Sequence, residues 1–245
     1  MIIAATDEGL LLTTQPDHAF FSAELLSLWR ADGFPEHPRR GEVLFAVREH
    51  DNGWREADAA PRIVTAEGRP MPFFEATLEL RSEIWFRGIR RFADEHPWAS
   101  LLILEHAYQL HSPQRERPGW EDFYEALEAH REVLLDASQE QLSEMPPEDP
   151  AEVLPRDYRF LELTDLLSLA VCSRWTEEIE RDGYRFQVED DRLRLEPFPF
   201  AGTTRFRIRC RLIEDRSYRD GVDLAVALAS ARWQDREVRV EAWEL

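Results

Sequence analysis

Apolar residues recur at two different spacings along this chain of 245 residues, at a helical period through most of its length and at strict alternation toward its end. From Ile2 to Thr14 two short apolar runs flank Asp7, Glu8 and Gly9, the pattern of a hairpin. Thr14 then offers a helix cap and Pro16 falls in the first turn, where its missing N–H costs nothing. Phe20, Phe21, Leu25, Leu26 and Trp29 form the apolar stripe of this first helix, which runs out at Asp32 and Gly33. A second helix is predicted from Gly41 to Asp58, carrying Val43, Leu44, Val47 and Trp54, and a loop rich in Pro, Ala and Gly from Ala59 to Pro72. Two more helices are predicted from Glu75 to Glu95 and from Pro97 to His111; the run Leu101 to Leu104 is apolar all round, which implies burial on most sides. A Pro-rich break from Ser112 to Gly119 leads to a charged helix from Trp120 to Met145, read as a solvated outer face or an oligomer contact. A second break, from Pro146 to Pro155, leads to a helix from Asp157 to Arg181, closed by Gly183.

Beyond Gly183 the period changes to two. Tyr184 to Val188 and Leu193 to Leu195 flank a charged turn, Phe206 to Leu212 alternates in the same way, and a short helix near Asp223 to Trp233 precedes a last strand near Val238 to Trp243. The expected fold is mainly α, with a small antiparallel β-sheet built from the N-terminal hairpin and the C-terminal strands. One domain is expected over 1–245: a helical body over about 15–183, and a β-rich appendage over about 184–245 together with 1–14.

With 49 acidic against 30 basic residues the formal charge is -19, which repels phosphate backbones and anionic headgroups except at a local basic pocket. General nucleic-acid binding and membrane binding are therefore not expected. Every basic residue is Arg, a skew that carries no information about catalysis. The 2 cysteines, Cys172 and Cys210, stand far apart in apolar or strand-like contexts and read as buried thiols. With no basic leader and no apolar run of membrane-spanning length, a cytoplasmic protein is expected.

Candidate chemistry is concentrated in a few positions: His18 at the start of the first helix, the adjacent His50 and Asp51 in the second, His106 in the buried fourth, and Asp165 in the last, within Leu163 to Leu169. An ionised Asp among such apolar neighbours is costly without a compensating cation or donor, and a metal shared with the histidines supplies one. The order His, then His-Asp, then a distant Asp, each on its own helix, resembles the HD-domain superfamily of metal-dependent phosphohydrolases. The flanking words Thr13 to His18, Glu49 to Trp54, Gly68 to Pro70 and Leu195 to Phe200 look like an uncharacterised bacterial branch, the domain-of-unknown-function family number thirty-eight ninety-one, over nearly the whole chain.

The resemblance implies an HD-like helical bundle in which His18, His50, Asp51 and Asp165 hold a divalent metal (Mn, Fe, Co, Ni, Zn or Mg). His106 matches an extra histidine used for a second metal or for substrate phosphate. Asp51 is expected to ligate the metal and orient a metal-bound water, so that Asp51 and His106 are the candidate catalytic residues. Neighbours on a helix point about 100° apart, so His50 and Asp51 share one metal only if it sits between their directions. The leading expectation is hydrolysis of a small phosphate ester or nucleotide. A di-iron oxygenase and a non-catalytic ligand-sensing or partner-binding module stand as alternatives, and a homo-oligomer is compatible with each.

Other positions have narrower readings. Arg87, Arg90 and Arg91 form a local positive cluster that, with His111 nearer the mouth of a pocket, offers weak candidates for substrate phosphate; as helix-face partners of Glu83, Asp94 and Glu95 they need no ligand at all. His37, His96 and His130 read as solvated, and Trp85, Trp98, Trp120 and Trp175 as core or pocket wall. Trp54 and Asp58 are expected to share the helix of the His-Asp pair at i, i+4, where they either support the site from outside or, for Asp58, form an equally ordinary surface carboxylate near a helix end.

Overall fold

The computed structural model describes residues 1–61, 65–142 and 149–243. A hairpin of β1 (Ile2–Thr6) and β2 (Gly9–Thr13) leads into helix α1 (Gln15–Ser27). At its start the Thr14 hydroxyl accepts from the Asp17 N–H and donates to the Asp17 carboxylate, satisfying a backbone donor that the helix cannot. Helix α2 (Arg40–Glu49) is followed by a short turn and by α3 (Arg55–Ala59). Then come α4 (Leu78–Arg91), α5 (Pro97–Leu110), α6 (Glu121–Leu142) and α7 (Pro150–Ser173). Strands β3 (Ile179–Arg181), β4 (Tyr184–Glu189), β5 (Arg192–Glu196) and β6 (Thr204–Ile213), helix α8 (Gly221–Ser230) and strand β7 (Trp233–Ala242) complete the order. The predicted end of the charged helix at Met145 lies outside the described residues. Among the described residues no helix is long and apolar enough to cross a membrane.

The expectation of a mainly α bundle with a small antiparallel sheet is overturned. About 52% of the chain is helical, and a curled mixed sheet of seven strands holds 19%. Its order is β1-β2-β6-β7-β5-β4-β3, with β5 parallel to β7 and every other pair antiparallel. Two readings concealed its extent. Helix α7 stops at Ser173, where Arg174 takes a left-handed conformation with φ 57, so that Ile179–Arg181 is a strand and not a helix end. Strand β7 begins at Trp233, and its first half, Gln234 to Glu237, is polar on both faces. Pairing with β6, from Arg211 opposite Trp233 to Arg207 opposite Glu237, holds it in the sheet without any hydrophobic alternation.

Nor is the sheet an appendage, because it shares one core with the helices. Phe186, Val188, Leu193, Leu195, Phe206, Ile208, Val238 and Val240 are buried in the same cluster as Phe21, Leu25 and Trp29 of the α1 segment and Phe160, Leu161 and Leu167 of α7. Phe21 meets Phe206 edge to face, and Trp29 packs on Tyr184 and Phe200. A smaller cluster joins Leu10, Leu12, Ile213 and Tyr218 to Leu224 and Leu228 of α8. Both cysteines are buried and free.

On the far side of the helical body, Asp157 of α7 is fully buried. It accepts from Arg39 Nε at 2.6 Å and Trp98 Nε1 at 3.0 Å, and His37 Nε2 stands 3.1 Å from it. His37 is thus not solvated: its side chain is inside, paired with a carboxylate. His96 stacks on Phe45 beside Glu42, and His130 faces the Ala126 carbonyl and packs on Phe86.

Candidate metal centre

Helices α1, α2, α5 and α7 pack on one another and bring His18, His50, Asp51, His106 and Asp165 to one place. His50, the residue that caps the end of α2, still has helical dihedrals, and Asp51, at φ -105 and ψ 19, has already left the helix. The pair therefore stands at a helix end, not within a helix as expected. That break in the backbone relieves the 100° divergence and lets both side chains aim at one point. The turn is clamped from behind: Asn52 donates from Nδ2 to the carbonyls of Glu49 and Gly88. Gly53 lies so close to α4 that a Cβ there would stand 2.1 Å from the Ile84 carbonyl oxygen, a position only glycine fits.

Asp58, on the separate helix α3, is turned away from the pair. It accepts from the Met1 amino nitrogen at 2.9 Å and from the N–H of Gln15 at 2.6 Å, tying α3 to the start of α1. Trp54 is buried in a small cluster with Ala76 and Ile84.

Hydrogen bonds on the far sides of the rings decide what His18 and His50 present to the cluster. The Nδ1 of His50 faces the Val47 carbonyl at 2.8 Å; that oxygen only accepts, so Nδ1 carries the hydrogen. The Nδ1 of His18 stands 2.9 Å from Ser168 Oγ, whose own hydrogen goes to the His18 carbonyl at 2.8 Å, so this Nδ1 is a donor too. In the neutral rings both Nε2 atoms are therefore bare acceptors, and they stand 3.2 Å apart. The carboxylates close on the same point, with His18 Nε2 3.1 Å from Asp165 Oδ1 and 3.3 Å from Asp51 Oδ2. His50 Nε2 is 3.2 Å and 3.5 Å from the same two oxygens.

Four acceptors with two negative charges among them, nearly closed off from solvent, are costly without a compensating positive charge, and their arrangement could hold a metal ion. The electrostatics agree. Burial opposes charge on His18, yet the hydrogen bonds that a protonated Nε2 gives to Asp165 and Asp51 overcome it and hold the ring up at about 9. His50 is raised against burial chiefly by Asp51 and then Asp165. Burial pushes Asp165 upward, but His18 and His50 outweigh it and hold the carboxyl well below its usual range. A proton supplies part of this compensation; a divalent ion cancels the charge in full.

The donor set fits such an ion, since ligands about 2.1 Å from a centre stand about 3.0 Å apart across an octahedral edge and about 3.4 Å across a tetrahedral one. The Asp165 side chain, 14% exposed against 0% for His50, is the open side of the cluster.

His106 lies beside this group rather than within it. Its Nε2 is 3.7 Å from the second oxygen of Asp165, Oδ2, and its Nδ1 is 3.3 Å from the Tyr158 hydroxyl. Burial lowers its basicity. The Trp85 ring separates it from His111, which accepts from Trp85 Nε1 at 2.9 Å, packs on Trp120 and is pushed down by burial to about 3.

The donors of the three arginines are directed elsewhere. Arg87 bonds Glu56 and Glu83, Arg91 bonds Glu56 and the Asn52 carbonyl, and Arg90 bonds the Phe86 carbonyl within its own helix. A cavity of about 330 Å³ lined by Met1, Trp54, Asp58, Met71, Leu80 and Arg87 includes none of the five clustered residues.

Ser168 and Tyr158 were missed as site residues. Their signal was present, because Tyr158, Asp165 and Ser168 are seven and three residues apart on one otherwise apolar face of α7.

Among known proteins, a family model described as a protein of unknown function, DUF3891, matches residues 1–215. The chain matches no curated protein and no solved structure.

Proposed function

Since the chain belongs to the DUF3891 family, whose description states no reaction, we propose from the site itself that it is a metal-dependent hydrolase of phosphoric esters, of the HD-domain type. The observation that carries this reading is the pair of Nε2 lone pairs 3.2 Å apart, facing one point with Asp51 Oδ2 and Asp165 Oδ1. His18, His50, Asp51 and Asp165 hold one divalent ion, and such an ion when bound acidifies water and polarises a phosphoryl oxygen. Ser168 and the Val47 carbonyl keep both rings in the tautomer that leaves Nε2 bare. Asp51, anchored by the clamped turn, orients the attacking water, and substrate approaches from the Asp165 side, where the cluster is most open. In this reading the substrate is small and phosphate-bearing, and the acidic surface disfavours nucleic acid.

The test is elemental analysis of the untagged protein beside His50→Ala and Asp51→Ala, followed by a screen of phosphomonoesters, phosphodiesters and nucleotides with the metal found. One ion per chain, lost in both variants, and turnover lost with it are expected. A metal-loaded protein inert on all three substrate classes would sink the reading.

A second reading, a di-iron oxygenase, is favoured by one observation: His50, His106 and Asp165 also lie within reach of a common ion. It requires two irons per chain and oxygen consumption. A non-catalytic module requires instead that metal removal leave nothing changed but stability.

A further inference from the structure

Strand β6 buries Phe206, Ile208 and Cys210 on one face and places Arg205, Arg207, Arg209 and Arg211 in a row on the other. In a chain with a formal charge of -19 this row is left largely unneutralised. Of the acids opposite it on β7, Glu237 is bonded by Arg205 at 3.1 Å, and Asp235 makes no ion pair among the described residues. Asp17, beside Arg209 and Arg211, is hydrogen-bonded to Thr14. Arg207 and Arg209 have neither a hydrogen bond nor an ion pair among the described residues, and the buried Nε of Arg211 has no partner. The guanidinium groups of Arg209 and Arg211 lie 4.1 Å and 3.8 Å from the centre of the Trp233 ring. Stacking on one indole holds both side chains in place, so they have less freedom to lose when a partner binds.

We infer that this arginine row docks a second copy of the chain, which presents to it the acidic ridge of its helix α6. Glu125, Glu128, Glu132 and Asp136 are exposed and follow one another at three or four residues, which aligns them along one side of that helix. Glu128 meets Arg115 in an exposed pair of little energetic weight, and the other three have no cationic partner among the described residues. The two rows match in length: the helical rise from Glu125 to Asp136 is about 16 Å, and the strand rise from Arg205 to Arg211 is about 20 Å. Each row also has an exposed apolar neighbour, Val133 on the helix and Trp233 on the sheet, which adds a contact that does not depend on charge. Within one chain the rows belong to separate layers, since α6 packs on α5 and β6 packs on β2, β7 and α1. Two copies repel at long range, but physiological salt screens that field beyond about 8 Å and leaves facing rows in contact attractive. Ridge meets row, so the contact is head-to-tail, and assembly grows by addition or closes into a ring.

The experiment measures the mass of the full chain by analytical ultracentrifugation over a range of protein concentrations at physiological salt. The wild type is expected to exceed the mass of one chain. A sheet variant, Arg207→Glu with Arg209→Glu, and a helix variant, Glu125→Arg with Glu132→Arg, are each expected to fall to one chain. Mixed in equal amounts they are expected to form a dimer and nothing larger, because the sheet variant keeps an intact ridge and the helix variant an intact row. All four reversals in one chain should restore the wild-type assembly. A wild type that stays monomeric would overturn the inference and leave the row to a different acidic partner. Assembly that survives either pair of reversals, or a mixture that stays monomeric, would overturn it too. Thermal melts check that each variant folds; if the sheet variant did not, Arg207→Gln mixed with the helix variant makes the same comparison. None of the substituted residues lies in the metal centre, so the result is independent of the proposed chemistry.

Discussion

His18 and His50 point their Nε2 atoms at each other across 3.2 Å, and each has its Nδ1 hydrogen committed to an acceptor on the outer side. Two lone pairs at that distance, with Asp51 and Asp165 beside them, form an arrangement that a cation completes. A divalent ion at about a hundred times its Kd is expected to stabilise the chain by about 2.7 kcal/mol. Thermal melts with and without Mn²⁺ or Zn²⁺ check this, and His50→Ala should show no metal-dependent shift. An equal shift in that variant would place the ion elsewhere.

Ser168 is the outer partner that sets the His18 tautomer. Ser168→Ala is expected to weaken metal binding by about 10- to 100-fold, the usual effect of removing the group that orients a ligand ring. Titration calorimetry reads it directly, and an unchanged Kd would show that the surrounding packing orients His18 unaided.

The metal-free protein should respond to pH in a defined direction. His18 is held at about 9 in the folded chain against an ordinary 6.5, so its protonation stabilises the fold in full below about pH 6.5 and the contribution is lost as pH rises through about 9. Metal-free unfolding free energy should therefore fall between those values, and apparent metal affinity should rise over the same window as fewer protons have to be displaced. Urea melts and metal titrations at a series of pH values test both slopes; a flat profile would mean that no proton takes the place of the ion.

Away from the centre, Asp157→Ala would leave the Arg39 guanidinium buried without this carboxylate and take an acceptor from Trp98. A loss of about 3–5 kcal/mol is expected from breaking a buried ion pair on one side. Metal stoichiometry should be unaffected, and denaturant unfolding beside metal analysis separates the two effects.

Helix positions were legible where capping chemistry and a continuous apolar stripe coincide, as in α1, with Thr14 at its start and Phe21 and Leu25 on its buried face. The sheet was harder to see. The polar first half of β7 is a strand only because β6 pairs with it, and Ile179–Arg181 follows a helix with no proline to announce the change. Propensity and alternation describe how a segment meets its own core face, and neither registers a strand whose hydrogen bonds go to a partner distant in the chain.

By itself the sequence determined which residue types were available for chemistry and roughly which helices would carry them: a histidine three residues past the start of α1, a His-Asp pair near the end of an apolar stripe, and an aspartate on an apolar face of α7. Those are matters of spacing and composition, which act locally. Tertiary structure alone decided that the His-Asp pair sits just past a helix end clamped by Asn52 and Gly53, that Ser168 and the Val47 carbonyl take the Nδ1 hydrogens of His18 and His50, and that Arg87 and Arg91 direct their donors to Glu56 and the turn. Tautomers and ion pairs depend on what lies on the far side of each side chain, and that neighbour comes from another part of the chain, placed there only when the whole core packs.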